Sequence, residues 1–181
     1  MINQPDTFGE RDDIVATFQL ENSSVRGRIC RLGDHTLDAV LKRHDYPRWA
    51  AYALGEAIVL AVISAATMKV DGRVLIQAEG NGPINLLAAE AATSGGVRGY
   101  LRLDEDRWNA MEADHSGGRP SVAQMIGEGV LGHIVIQDAP NTQPYQGIVP
   151  LDGETIAECA QSYFTQSEQI PTRVRIAVEE I

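Results

Sequence analysis

Two cysteines, Cys30 and Cys159, and four histidines, His35, His44, His115 and His133, are the side chains of this sequence best suited to bind a metal or attack a substrate. Their spacing favours neither. No histidine pair sits at the spacing of an H-E-x-x-H helix, and no cysteine lies close enough to complete a zinc site. Two thiols are too few for a four-thiolate centre or a disulfide scaffold. A single Cys30–Cys159 bridge remains open, but two small buried thiols in a reducing cytosol are the better reading. There is no G-x-S-x-G elbow and no Cys–His constellation, so the sequence presents no catalytic centre and reads as a non-enzyme.

Other groups invite chemistry and are better explained structurally. Asp104, Glu105, Asp106, Glu112, Asp114 and His115 form an acidic stretch that could hold a divalent cation, yet their spacing matches no calcium loop. A solvated loop with one helical turn near Trp108–Met111 is expected. Gly80-Asn81-Gly82 and Gly95-Gly96 resemble phosphate-cradling loops, but each lies between two strands, where no helix N-terminus is available. Hairpin turns account for both. Glu154 and Glu158 suit the dipole at the start of a helix. Glu56 stands apart as the one charge in a long apolar stretch. Unpaired burial would cost several kcal/mol, so a guanidinium from Arg26, Arg28, Arg98 or Arg102 is expected beside it, with a proton role as the alternative.

The elements that must position these groups follow from periodicity. Asp13 to Glu21 alternates, with Ile14, Ala16, Phe18 and Leu20 on one face and Val15, Thr17, Gln19 and Glu21 on the other. That is the period of a strand. Asn22-Ser23-Ser24 turns the chain into a return strand, Val25 to Leu32. Asp34 or Thr36 can cap a short helix carrying Leu37, Val40 and Leu41, which ends at Tyr46-Pro47.

A helix then runs over about 48–68. It is apolar all round from Ala50 to Met68 and rich in alanine, so it must be buried on every side or lie in a membrane. Its length suits a membrane span. Glu56, the small side chains and the single occurrence of such a segment favour a central helix between sheets. Val74–Glu79, Ile84–Ala89 and Val97–Leu103 form a meander, and Val130–Gln137 pairs with Tyr145–Leu151. A helix from Glu154 to about Gln169 carries the stripe Ile156, Cys159, Ala160, Tyr163, Phe164. Thr172 to Glu179 alternates once more and reads as a last strand.

Composition narrows the function classes. The 181 residues are 44% hydrophobic, enough for one domain with its own core. Fifteen basic and twenty-five acidic side chains give a net charge of −10, which opposes nucleic-acid binding, and only 6% are aromatic. The N-terminus is polar and acidic, unlike a signal peptide, which points to the cytoplasm. Residues 1–11 read as a loose lead and 12–181 as the folded domain.

Several segments resemble one family, the bacterial redox-regulated thirty-three-kilodalton heat-shock chaperones. They are Glu21-Asn22-Ser23-Ser24-Val25-Arg26-Gly27, His44-Asp45-Tyr46-Pro47, Met68-Lys69-Val70-Asp71-Gly72 and the glycine turn within Gln77 to Leu86. The most specific runs are Tyr145-Gln146-Gly147-Ile148-Val149-Pro150-Leu151-Asp152-Gly153-Glu154-Thr155-Ile156, Tyr163-Phe164 and Ser167-Glu168-Gln169-Ile170-Pro171-Thr172-Arg173.

The resemblance implies an α+β, three-layer β/α/β sandwich, its central helix buried between two mainly antiparallel sheets. It also implies an ATP-independent holdase that binds unfolding proteins under oxidative and heat stress, through an exposed apolar sheet face whose contact residues are unknown. The expected partners are unfolded clients and a second copy of the chain, in some family members with exchanged elements; no nucleic acid or membrane is expected. The family's zinc switch uses C-x-C and C-x-x-C pairs. Neither pair occurs here, so no cofactor is expected in this chain, zinc belongs to a C-terminal domain that is absent, and the sequence is expected to be the N-terminal core alone. The competing expectations are a ligand-binding or enzymatic domain on a similar scaffold and a structural dimerisation module.

Overall fold

The computed structural model describes residues 6–7, 13–115 and 117–179. Strand β1 (Asp6–Thr7) pairs with β2 (Ile14–Gln19), which pairs with β3 (Arg26–Arg31), all antiparallel. The remainder of the expected loose N-terminus lies outside the described residues.

A π-helical turn, Asp34–Asp38, runs directly into α1 (Ala39–Leu41). Asp13, fully buried, accepts from Gly33 N–H at 2.6 Å and from the Thr36 hydroxyl, so one carboxylate ties this turn to the start of β2. Tyr46 donates its hydroxyl to Leu101 O at 3.3 Å and accepts from Leu101 N–H at 3.2 Å, docking the chain onto a strand edge just before α2 (Arg48–Ala65).

Helix α2 is the middle layer. Thirteen of its 18 residues are buried, and alanines let the layers approach closely. It packs on β4 (Gly72–Gly80), β5 (Ile84–Ala92) and β6 (Val97–Leu103) on one side and on β3 on the other. At Gly99 the missing side chain makes room for Leu54 and Ile58. The three-layer sandwich and the buried reading of this helix are both observed.

The large sheet has the order β6-β5-β4-β7-β8, with β7 at Gly129–Gln137 and β8 at Tyr145–Pro150. All neighbours are antiparallel. Val74, Ile76, Ala78, Leu87, Ala89, Leu101, Leu131 and Val149 form its inner face. Between β6 and β7 lie α3 (Glu105–Asp114) and α4 (Val122–Met125), and α5 (Ile156–Gln166) closes the domain.

Two expectations need correction. The acidic stretch is a ten-residue helix rather than a loop: Asp104 accepts from Arg107 N–H as its cap, Glu105 and Asp106 meet the helix dipole, and Trp108 anchors it in the core. The last strand is not a strand either. Along 172–179 every second residue (Thr172, Val174, Ile176, Val178) is half-buried, but among the described residues the segment pairs with no sheet. It lies against the helices instead, with Val178 packed at Gly55 of α2 and Val174 N–H bonded to the Gln161 side chain at 3.0 Å. A period of two reports one covered face; it does not specify that a ladder does the covering.

Candidate functional site

The groups that could have done chemistry are dispersed. Cys30 is half-buried on β3 and Cys159 buried on α5, and both are free thiols. Burial, helped by the nearby Asp13 carboxylate, pushes the Cys30 thiol up to about 12. Burial pushes Cys159 up as well. Neither is an activated nucleophile.

His35 and His44 are exposed near α1, His115 ends α3 beside Gln124, and His133 is buried on β7. Among the described residues, no three of His, Cys, Asp and Glu are grouped to hold a metal. Gly80-Asn81-Gly82 and Gly95-Gly96 are hairpin turns, and the Asn81 side chain accepts from Glu128 N–H at 3.0 Å. Thr155 caps α5, and Glu158 reaches back to Glu154 N–H at 2.8 Å.

Glu56 is 1% exposed and paired, but with none of the four arginines expected. Its partner is Arg119, from the segment between α3 and α4. Arg26 and Arg28 belong to β3, whereas Arg98 and Arg102 project outward from β6 and bond to Glu90 and Asn85. Strand parity turns Arg98 and Arg102 outward, whereas Arg26 and Arg28 share the inner face of β3 with Cys30 and still do not pair with Glu56; the partner comes instead from a loop residue with no parity to obey.

Sequence reasoning also missed an aromatic cluster under β7 and β8. His133 stacks on Tyr163 with ring centroids 4.6 Å apart and planes at 17°, and Phe164 meets both rings edge-on. Tyr163 donates its hydroxyl to Glu168. Burial holds His133 down to about 4, so the ring is neutral near neutral pH. Gly147 supplies the space for Tyr163. The only signal available was the inward parity of His133 beside Leu131 and Val135.

The surface, rather than any cavity, carries the unusual feature. The most pocket-like depressions are shallow and open: one lies between α5 and residues 171–173, the other beside Met68–Asp71 and Thr93. By contrast, strand β2 turns Val15 inward and shows Phe18 to solvent, and Leu20 just beyond its end is exposed as well. Across the ladder Ala16 faces Ile29, Phe18 faces Gly27, and Leu20 N–H bonds to Val25 O at 3.0 Å. Phe18, Leu20, Val25 and Ile29 are 41%, 51%, 51% and 63% exposed, on the outer face of one small sheet. No Cβ stands at Gly27, so the Phe18 ring lies across it.

The outer face of the large sheet is divided. Arg98, Glu90, Arg73 and Asp138 form an ion-pair network, while Val130 and Ile148 are exposed beside half-buried Ile134 and Ile136 on β7 and β8. Contiguous exposed apolar surface of this kind is characteristic of interaction sites rather than of inert exteriors.

The chain resembles known proteins along nearly its whole length. A family model described as Hsp33 protein matches residues 13–181. A 33 kDa chaperonin from Caulobacter vibrioides is 46% identical over 174 residues, 96% of this chain and 56% of the relative. One from Photorhabdus laumondii is 37% identical over 167 residues, 92% of this chain and 53% of the relative. The crystal structure of the 33 kDa chaperonin from Thermotoga maritima superposes with a TM-score of 0.64 at 26% identity, covering 92% of this chain and 51% of that one. The chain thus spans about half the length of the curated relatives it matches.

Proposed function

This chain belongs to the Hsp33 family, and from that premise we propose that it is a chaperone body, binding partly unfolded proteins on its exposed apolar sheet faces without nucleotide. The observation that carries the reading is the outer face of the small sheet, where Phe18, Leu20, Val25 and Ile29 stand in solvent over a well-buried core. Such a face offers non-directional apolar burial, which suits clients that share no sequence. The net charge of −10 keeps a protein with that surface soluble.

The reading places the chain in the cytoplasm, acting during heat and oxidative stress, with a second copy as an additional partner. Redox control is assigned to no residue of this chain, because both thiols are shielded and held protonated. Zinc is assigned to none of them either.

Light scattering from a thermally unfolding client at equimolar chain tests the reading. Suppression of aggregation is expected, and its absence overturns the proposal. The paired variants F18S/I29S and I134S/I148S identify the working face: the small-sheet pair is expected to lose most of the suppression. Sedimentation with and without client separates holding from simple dimerisation.

A further inference from the structure

Strand β3 is the terminal strand of the small sheet, so one row of its backbone N–H and C=O groups meets β2 and the other has no ladder partner among the described residues. An open row of this kind is a template for another extended chain. The side chains along it are distinctive. Arg26 and Arg28 share one face, and Val25 and Ile29 stand exposed on the edge strand and its entry.

Neither arginine is in an ion pair among the described residues, and the Nε of Arg28 is buried with no hydrogen-bond partner. Burial and the adjacent Arg26 guanidinium hold Arg28 below the usual arginine value, as expected for two like charges with no carboxylate between them. In a chain of net charge −10 this is an uncompensated basic pair beside exposed apolar side chains.

We propose that the open edge of β3 takes up an extended segment of an unfolded client in which carboxylates alternate with apolar residues. An added strand places alternate side chains on opposite faces. One set of its side chains therefore meets Arg26 and Arg28, while the other lies beside Val25 and Ile29. Charge-assisted hydrogen bonds to the two guanidinium groups select the acidic set, and backbone bonding along the open row makes the rest indifferent to sequence. The inference rests on the chaperone reading and names the client chemistry it favours.

Fluorescence anisotropy with labelled, end-blocked octapeptides tests it on the chain itself. The (Val-Glu)4 peptide is expected to bind at least tenfold more tightly than (Val-Lys)4 at low salt. R26Q/R28Q should lose that preference, and R26E/R28E should reverse it. A proline in the middle of (Val-Glu)4 should weaken binding tenfold by removing a ladder donor and clashing with the edge. Equal binding of the acidic and basic peptides, or indifference to the proline, overturns the proposal. So does a single-stranded oligonucleotide that displaces the acidic peptide at lower concentration, which marks a general polyanion site. A change in sedimentation of R26Q/R28Q with unchanged peptide binding assigns the edge to a second copy and also overturns it. If wild-type chain and R26Q/R28Q suppress aggregation of an acidic client equally, the edge proposal falls and the chaperone reading stands. If the wild-type chain suppresses nothing, the chaperone reading falls and the peptide titration still decides the edge.

Discussion

Arg119 reaches from the segment between α3 and α4 to the carboxylate of Glu56 at the middle of α2, pairing a side chain 26% exposed with one 1% exposed. The arrangement is asymmetric. Arg119 is the more exposed side chain, yet its Nε and Nη2, like the second oxygen of Glu56, are buried without a partner, so a single contact serves both groups. Removing the cation strands the anion, so R119A is expected to lower unfolding stability by about 3 kcal/mol in urea. R119Q combined with E56Q should recover more than half of that, since a buried amide needs no counter-ion. A loss below about 0.5 kcal/mol for R119A, the range of ordinary surface changes, would show that the pair contributes nothing to stability.

His133 makes stability depend on acid. Its folded value, about 4, lies below the ordinary 6.5, so the unfolded chain takes up the proton first as pH falls. Its contribution is complete above about pH 6.5 and is lost progressively as pH drops towards 4, by roughly 3 kcal/mol in all. H133F keeps an aromatic ring against Tyr163 and removes the titration. Urea midpoints measured from pH 7 to 4.5 should fall more steeply for the wild type than for H133F; parallel slopes would contradict the assignment.

Gly27 and Gly147 offer a matched comparison. A Cβ at either glycine runs into an aromatic ring, Phe18 in one case and Tyr163 in the other. Phe18 is exposed and can swing away, so G27A should change stability by less than about 0.5 kcal/mol. Tyr163 is 1% exposed, stacked on His133 and bonded to Glu168, so G147A should cost about 2 kcal/mol. Thermal unfolding of the two variants side by side distinguishes them, and equal losses would refute the difference in freedom.

Both thiols should be sluggish. With Cys30 pushed to about 12 and Cys159 also raised, almost no thiolate exists at pH 8. A disulfide reagent should react with the folded chain at least about 100-fold more slowly than with the chain in urea. The suppression of client aggregation proposed for this chain should then be unmoved by peroxide, and a clear activation or loss would overturn that expectation.

The large sheet and the central helix were legible because their patterns are unambiguous: alternation in Val74–Glu79 and Val130–Gln137, and an apolar helix with a single charge. The partner of Glu56 was not, because Arg119 lies in an irregular segment and no periodicity governs such a residue. The acidic stretch concealed a helix. Its charge suggested solvent, although Asp104 as cap and the spacing of Trp108 and Met111 were there to be read. The exposed face of β2 shows the limit most clearly. Alternation separated the row Ile14, Ala16, Phe18, Leu20 from the row led by Val15, but the more apolar row is the one facing water. Hydrophobic pattern locates the core only where every apolar face is covered, and the outer face of this small sheet is not covered.

The segment 171–179 is gripped by alternate side chains, and among the described residues its backbone is tied by Val174 N–H to the Gln161 side chain. A ladder breaks cooperatively, but knobs set in successive hollows can be released singly. This stretch should peel from α2 and α5 residue by residue, beginning wherever a single methyl group leaves its seat. In deuterium its amides should exchange at nearly the rate of a loop while those of α2 beneath it remain protected for hours, so that the firmest and the loosest parts of the molecule lie in direct contact.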